Sequence, residues 1–274
     1  MIQTDRFSPA RTISLAALYI SENRRTLLLR TGLVVGALIC LALFNLPYHH
    51  AGEWPDYDYR LDNIAPLYYF VGVIFACVGA SLMMDDLKSR QGRIRMLMRP
   101  APMTEKYIAR WLIYVVGFVI LYFLAVAIAD AVRIVLASIF FPEYNACYIF
   151  NAVTGDTENT SKVLGRPEYR ATLIEAITAI YFLIQSLFVL GSTIWHRTSF
   201  IKTFIVFGAI TAIYFACIIP AGDSLMSGKI WPEEFWIKDN IKEVMLTAAA
   251  LATIFNWALG CWRLHETDVI TTRR

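Results

Sequence analysis

The sequence predicts an all-α, polytopic membrane protein. Of its 274 residues, 57% are apolar and 17% are charged, and the mean hydropathy is +0.51, which is outside the usual range of soluble domains. A helix needs roughly 20 residues to cross a hydrocarbon core of about 30 Å, and six apolar stretches reach or approach that length. These predicted transmembrane helices cover residues 31–48, 65–84, 108–128, 173–194, 200–220 and 243–262.

Residues 1–30 have a different pattern and precede the transmembrane domain of residues 31–274. The apolar residues Ile13, Leu15, Leu18 and Ile20, together with Tyr19, recur periodically, and a polar turn at 21–25 follows them. This pattern predicts an amphipathic helix that lies along the membrane surface. The first apolar run begins near Thr31, after five arginines, so we interpret it as a retained membrane helix and not as a secretory signal.

The division of basic residues between the connections predicts the orientation. The N-terminal segment, the 85–110 connection, the 195–203 connection and the C-terminal tail together hold 17 Lys and Arg residues, whereas the longer connections on the opposite side hold 7. Basic residues are enriched on the cytoplasmic side of membrane proteins. Both termini are therefore predicted to be cytoplasmic.

The connection at residues 85–110 holds seven basic residues against three acids. Four apolar residues recur within it at near-helical spacing, which predicts a short cytoplasmic helix between the second and third spans. They are Leu87, Ile94, Leu97 and Met98. Two roles are open for this segment: it docks another protein, or its arginines hold anionic lipid headgroups.

Two further pairs suggest helix contacts. Gly32 and Gly36 form a GxxxG pair, which permits a close helix interface within the chain or between two chains. Asp130 and Arg133 share a helix face and are expected to form an ion pair at the outer membrane boundary. A structural role for this pair is favoured over a transport site, because the third predicted span already has the roughly 20 residues that it needs to cross the membrane before Asp130 is reached.

Two segments on the predicted outer side hold candidate metal ligands or interfacial residues. His49, His50, Glu53 and Asp56 are suitable metal ligands, although the surrounding aromatic residues favour a belt at the membrane surface. Pro220, Pro232 and the aromatic residues at 221–240, including Trp231 and Trp236, predict an interfacial or re-entrant element at 221–240.

No enzymatic motif is present. The string at 222–229 has five residues between its glycines where a P-loop has four, and Ile230 stands where the motif has Ser or Thr. The chain therefore lacks an ATPase motif, and no cofactor is expected in it. Nucleic-acid binding is not suggested, and the absence of a charged group at mid-depth in any predicted span argues against an ion-coupled carrier.

Three segments together resemble the bacterial ABC-type export permeases, in which a six-helix membrane subunit works with a separate ATPase. The similarity is strongest to a divergent Gram-negative branch. The segments are Arg6-Phe7 with residues 20–25, the string 97–107 (LMRPAPMTEKY), and residues 190–203 together with Trp262-Arg263-Leu264 and Glu266.

The resemblance implies a permease subunit in the bacterial inner membrane that acts as a homodimer or as one of two paired permeases. ATP and Mg would be bound by the partner ATPase, which would dock on the connection between the second and third spans. The implied coupling residues are Leu87, Arg90, Arg93, Ile94, Leu97, Met98 and Glu105. The alternative is a membrane scaffold or accessory subunit that transports nothing, and the transported molecule is not specified by the sequence.

Overall fold

The computed structural model describes residues 7–47, 60–144, 146–150, 167–195, 198–226 and 241–272. Within these ranges the chain is helical and contains no strand, which confirms the all-α prediction. The α-helices are α1 (Pro9–Glu22), α2 (Arg24–Phe44), α3 (Leu61–Ser81), α4 (Arg90–Met98), α5 (Met103–Trp111), α6 (Phe118–Phe140), α7 (Pro167–Ile194), α8 (Ser199–Met226) and α9 (Ile241–Thr272).

Five helical segments are long and apolar enough to cross a membrane. They are Arg24–Phe44, Asn63–Ser81, Met103–Phe140, Ala171–Ile194 and Lys242–Glu266. The predicted span at 200–220 falls in α8, where the described apolar part, Ser199–Ile213, is shorter than the others. The structure therefore supports a membrane protein with five candidate spans, and the sixth span stays a prediction.

The helices extend beyond the apolar stretches that predicted them. The first predicted span begins near residue 31, but α2 begins at Arg24 and includes the basic residues before it. The third predicted span ends near residue 128, but α5, a π-helical turn at Leu112–Gly117 and α6 follow one another without interruption from Met103 to Phe140. Hydrophobicity predicts where a helix can lie in lipid, whereas backbone hydrogen bonding decides where it ends.

The N-terminal helix is separate from the first candidate span. Pro9 begins α1, where its missing N–H costs no intrahelical hydrogen bond. Asn23 then interrupts the helix: its backbone N and its side-chain Nδ2 both donate to the carbonyl of Tyr19, at 3.1 and 3.0 Å. Helix α1 lies within the segment where an amphipathic helix was predicted, and its position at a membrane surface stays a prediction.

The described chain divides into two compact units. Unit 1 comprises Met1–Ala76 and Ile108–Ile177, and unit 2 comprises Cys77–Tyr107 and Thr178–Arg274. In unit 1, α2 packs along α6. The core of unit 1 consists of Leu38, Ala42, Leu61, Ile64, Tyr68, Ala125, Val126, Ala129 and Ile149.

The part of α7 that belongs to unit 2, residues 178–194, contacts two other helices of that unit. On one side of α7, the ring of Phe188 lies 5.5 Å from the ring of Phe200 in α8. A Cβ atom added to Gly191 would lie 1.9 Å from Oγ1 of Thr203, so α7 and α8 are closer there than any other residue type would allow. On another side, Phe182 packs edge-on against Trp257 of α9, with ring centroids 6.2 Å apart. Aromatic contacts and a small-residue approach thus hold these three helices together.

Candidate functional site

The segment between α3 and α5 is ordered by its own polar contacts. A 3-10 turn covers Asp85–Lys88, in which Lys88 Nζ lies 2.5 Å from Asp85 Oδ1. Ser89 then caps α4, since its Oγ accepts a hydrogen bond of 3.0 Å from the backbone N of Gly92. A serine in this position satisfies one of the free N–H groups at a helix start. The predicted short helix between the second and third spans is therefore present as α4.

The residues of this segment divide into an inward and an outward set. Leu87 and Met96 are buried, whereas Ile94 and Met98 are 47% and 79% exposed. Arg90, Arg93 and Arg95 are also exposed. We call the exposed set of Arg90, Arg93, Ile94, Arg95 and Met98 the α4 surface. Apolar side chains this exposed on a basic helix are available for contact with another molecule.

Two of the sequence-derived coupling residues lie on the inward side. Glu105 is fully buried in the first turn of α5, and Leu87 is buried beneath α4. Both side chains therefore lie outside the α4 surface. The side chain of Leu97 lies outside the described residues. Met96 was not predicted from periodicity. It lies four residues after the buried Gly92, so the two residues share the inward face of α4.

Tyr107 connects the end of this segment to α9. The Tyr107 hydroxyl donates a 3.0 Å hydrogen bond to the Trp257 carbonyl. A Cβ atom added to Gly260 would lie 2.9 Å from the same hydroxyl oxygen, so the glycine makes room for it. Glu105 and Lys106, in the preceding turn, are buried. A displacement of α5 would therefore act directly on the backbone of α9.

A polar cluster lies on α7 and α9. Asn256 Nδ2 donates to Ser186 Oγ at 2.9 Å, and Ser186 Oγ donates in turn to the Leu183 carbonyl at 2.8 Å. The neighbouring Gln185 is fully buried, and its two amide atoms have no hydrogen-bond partner among the described residues. These amides were not predicted, because they carry no charge and an uncharged polar residue in an apolar stretch does not stand out in the sequence. An interhelical hydrogen bond of this kind fixes the register of two membrane helices.

Unit 1 contains a feature that was not predicted from the sequence. We call it the tyrosine–arginine cluster, and it consists of Tyr19, Arg30, Arg110 and Tyr114. The hydroxyl oxygens of Tyr19 and Tyr114 lie 3.0 Å apart. Arg30 Nη1 donates to the Tyr114 hydroxyl at 3.1 Å, and Arg110 Cζ lies 5.3 Å from the centre of the Tyr19 ring. The cluster joins α1, α2, α5 and the π-helical turn, and such turns recur at functional sites.

The predicted pairing of Asp130 with Arg133 is confirmed. Arg133 Nε lies 2.9 Å from Asp130 Oδ1, and both side chains are buried. The pair also binds the chain that follows α6: Arg133 Nη2 donates to the Cys147 carbonyl at 2.6 Å, and the Ile149 backbone N donates to Asp130 Oδ2 at 2.7 Å. These contacts give the pair a structural role, since they hold residues 147–149 against α6.

Gly32 and Gly36 make no close helix contact within the described chain. A Cβ atom added to either residue would have no neighbour within 4 Å. Of the two alternatives for this GxxxG pair, contact between chains therefore stays a prediction.

Two features were predicted on the outer side, a metal site and an interfacial or re-entrant element. His49, His50, Glu53 and Asp56 lie outside the described residues, as does most of the 221–240 element with Trp231 and Trp236. Among the residues that are described, no group of His, Cys, Asp or Glu side chains is arranged to hold a metal ion.

No protein-family model, no curated protein and no solved structure matches this chain.

Proposed function

We propose that this chain is the membrane-spanning permease subunit of an ABC-type exporter, driven by a separate ATPase that binds ATP and Mg. The observation that carries the proposal is the α4 surface. Ile94 and Met98 are exposed on a short basic helix between two candidate spans. Ser89 and the buried Leu87 and Met96 hold that helix in place. A preformed amphipathic surface suits docking of a partner, because little ordering entropy is lost on binding.

The hydrogen bond from Tyr107 to α9 provides a path by which docking at α4 would move a membrane helix. Force applied to α4 by an ATPase would pass along α5 to Tyr107 and from its hydroxyl to the Trp257 backbone. This chain of contacts would couple the docked ATPase to α9, since energetic coupling between distant sites can pass through contiguous contacts. The proposed exporter has six spans, which are the five candidate spans and α8. Two copies of the chain pair through Gly32 and Gly36.

The test of docking is co-purification. A tagged chain carrying Ile94→Asp and Met98→Asp is expected to lose at least about 90% of the ATP-binding protein that the unmodified chain retains, because two charges would be placed in an apolar contact. The captured protein is identified by labelling with a photoreactive ATP analogue. The comparison variant is Arg90→Gln with Arg93→Gln, which removes charge from the α4 surface but leaves Ile94 and Met98 and so separates lipid anchoring from apolar docking.

Docking of an ATPase and anchoring of lipid headgroups predict different results for these two variants. If the surface only anchors lipid headgroups, the arginine variant detaches the segment from anionic membranes and the aspartate variant still retains any ATP-binding protein. If no ATP-binding protein is captured by the unmodified chain, the scaffold alternative stands.

The proposed orientation places α4 and both termini in the cytoplasm of a bacterial inner-membrane protein. Single cysteines introduced into a cysteine-free chain at Asp156 and Glu233 are expected to react with an impermeant maleimide in intact cells, and one at Gln91 only after lysis. The excess of Lys and Arg on the α4 side is the reason. Labelling of the Gln91 position in intact cells would reverse the orientation.

A further inference from the structure

Arg30 is held in place by a tyrosine and not by a carboxylate. Its Nη1 donates to the Tyr114 hydroxyl at 3.1 Å, and among the described residues it forms no ion pair. A guanidinium carries five N–H donors in a planar fork that matches the oxygens of a phosphate. One donor is used by Tyr114, so the remaining donors can bind a phosphate while the side chain stays fixed.

The surroundings of Arg30 fix the guanidinium further. The Tyr114 hydroxyl that accepts from Arg30 is itself within 3.0 Å of the Tyr19 hydroxyl, and Tyr19 packs beneath the buried Arg110. Tyr19, Tyr114 and Arg110 are all buried, so Arg30 is the partly exposed edge of an ordered group.

The position of Arg30 along α2 determines what kind of phosphate it would meet. The candidate span begins at Arg24, and Arg30 lies six residues, or about 9 Å, along its axis. One turn further, Leu33 is 61% exposed, as an acyl chain would require. A phospholipid would place its phosphate at the Arg30 guanidinium and its acyl chain against the exposed Leu33. A soluble phosphate has no hydrocarbon part and would make no contact with Leu33.

We propose that the tyrosine–arginine cluster binds the phosphate of an anionic phospholipid, with Arg30 as the phosphate ligand, Tyr114 as the residue that positions it and Leu33 beside the acyl chain. The site ties α1, α2 and the π-helical turn to the headgroup layer. This proposal does not depend on the ATPase, because all of its residues lie in unit 1 and the α4 surface lies in unit 2.

The test measures binding of phosphatidylglycerol to the purified, detergent-solubilised full chain by native mass spectrometry, with phosphatidylcholine as the neutral reference. We expect preferential retention of phosphatidylglycerol. Tyr114→Phe keeps the net charge and the ring but removes the hydroxyl, and it should weaken phosphatidylglycerol binding about threefold to tenfold. Arg30→Lys keeps the charge but loses the fork and should weaken binding about tenfold. The control is Arg263→Gln, which removes an exposed arginine paired with Glu266 and should leave binding unchanged.

The outcomes distinguish the possible sources of attraction. If Tyr114→Phe binds phosphatidylglycerol as the unmodified chain does, or if Arg263→Gln weakens binding as much as Arg30→Lys, diffuse charge attraction explains the binding and the proposal is wrong. If inorganic phosphate, compared with chloride at equal ionic strength, displaces phosphatidylglycerol, the site binds free phosphate and the lipid assignment is wrong. Each variant is first checked for a single symmetrical peak in size-exclusion chromatography, and if Arg30→Lys fails this check, Tyr114→Phe alone decides.

Discussion

Replacing Asp130 with alanine is expected to lower the free energy of unfolding by about 3–5 kcal/mol, because a buried arginine would lose its counter-charge. Asp130 and Arg133 are almost completely inaccessible, and the carboxylate also accepts from the Ile149 backbone N. The substitution would therefore remove the carboxylate to which both Arg133 Nε and the Ile149 backbone N donate. We expect the released 147–149 segment to become sensitive to protease before the rest of unit 1 unfolds. The free energy is measured by denaturant titration of the purified chain in detergent micelles.

Two variants control this result. Arg263→Ala breaks an exposed ion pair with Glu266 and should change the free energy of unfolding by less than about 1 kcal/mol. The double variant Asp130→Leu, Arg133→Met removes both buried charges and should recover part of the loss, because replacing a whole buried pair costs less than breaking it. The recovery is incomplete, since the Cys147 carbonyl and the Ile149 N–H lose their partners. If Asp130→Ala were no more destabilising than Arg263→Ala, the structural role of the pair would be excluded.

Replacing Gly191 with alanine is expected to destabilise unit 2 by about 1–3 kcal/mol, as overpacking of a tight contact does. The added Cβ atom would lie 1.9 Å from Thr203 Oγ1 and 3.0 Å from Thr203 Cβ. Because the contact involves the branch point of the threonine as well as its hydroxyl, rotation of the side chain cannot relieve it. α7 and α8 must then separate, which also loosens the contact between Phe188 and Phe200. Thermal unfolding of the purified chain measures the effect.

Gly208 provides the matched control in the same unit. A Cβ atom at Gly208 has no neighbour within 4 Å. Alanine there should be neutral or stabilising by up to about 1 kcal/mol, because it favours the helix more than glycine does. Adding Thr203→Ala to Gly191→Ala should recover part of the lost stability. Equal effects of alanine at positions 191 and 208 would contradict the close approach of α7 and α8.

The helical class and most span positions were predictable because they depend on local composition. Long apolar stretches need only length and hydrophobicity to identify them, and five of the six correspond to helices that are long and apolar enough to span. The pairing of Asp130 with Arg133 was also predictable, since residues three apart share a helix face. Of the sixth predicted stretch, at 200–220, the described apolar part is Ser199–Ile213.

Features that depend on distant residues were not predictable. Tyr19 and Tyr114 are 95 positions apart, and nothing local to either residue indicates the other. The hydrogen bond from Tyr107 to Trp257 joins residues 150 positions apart. The α4 surface was predictable in part: the exposure of Ile94 and Met98 matches the predicted helix, whereas the burial of Leu87 and Glu105 depends on neighbouring elements that periodicity does not describe.

Photocross-linking from position 98 tests most directly whether this chain docks an ATPase. Benzoylphenylalanine is placed at Met98, the most exposed apolar residue of the α4 surface, and as a control at Leu124, an exposed apolar residue of α6 in a candidate span. After irradiation of living cells, the adducts are identified by mass spectrometry. We expect an ATP-binding protein cross-linked from position 98 and no such adduct from position 124. Adducts from position 98 that contain only lipid, or the same protein adduct from both positions, would contradict the proposed docking.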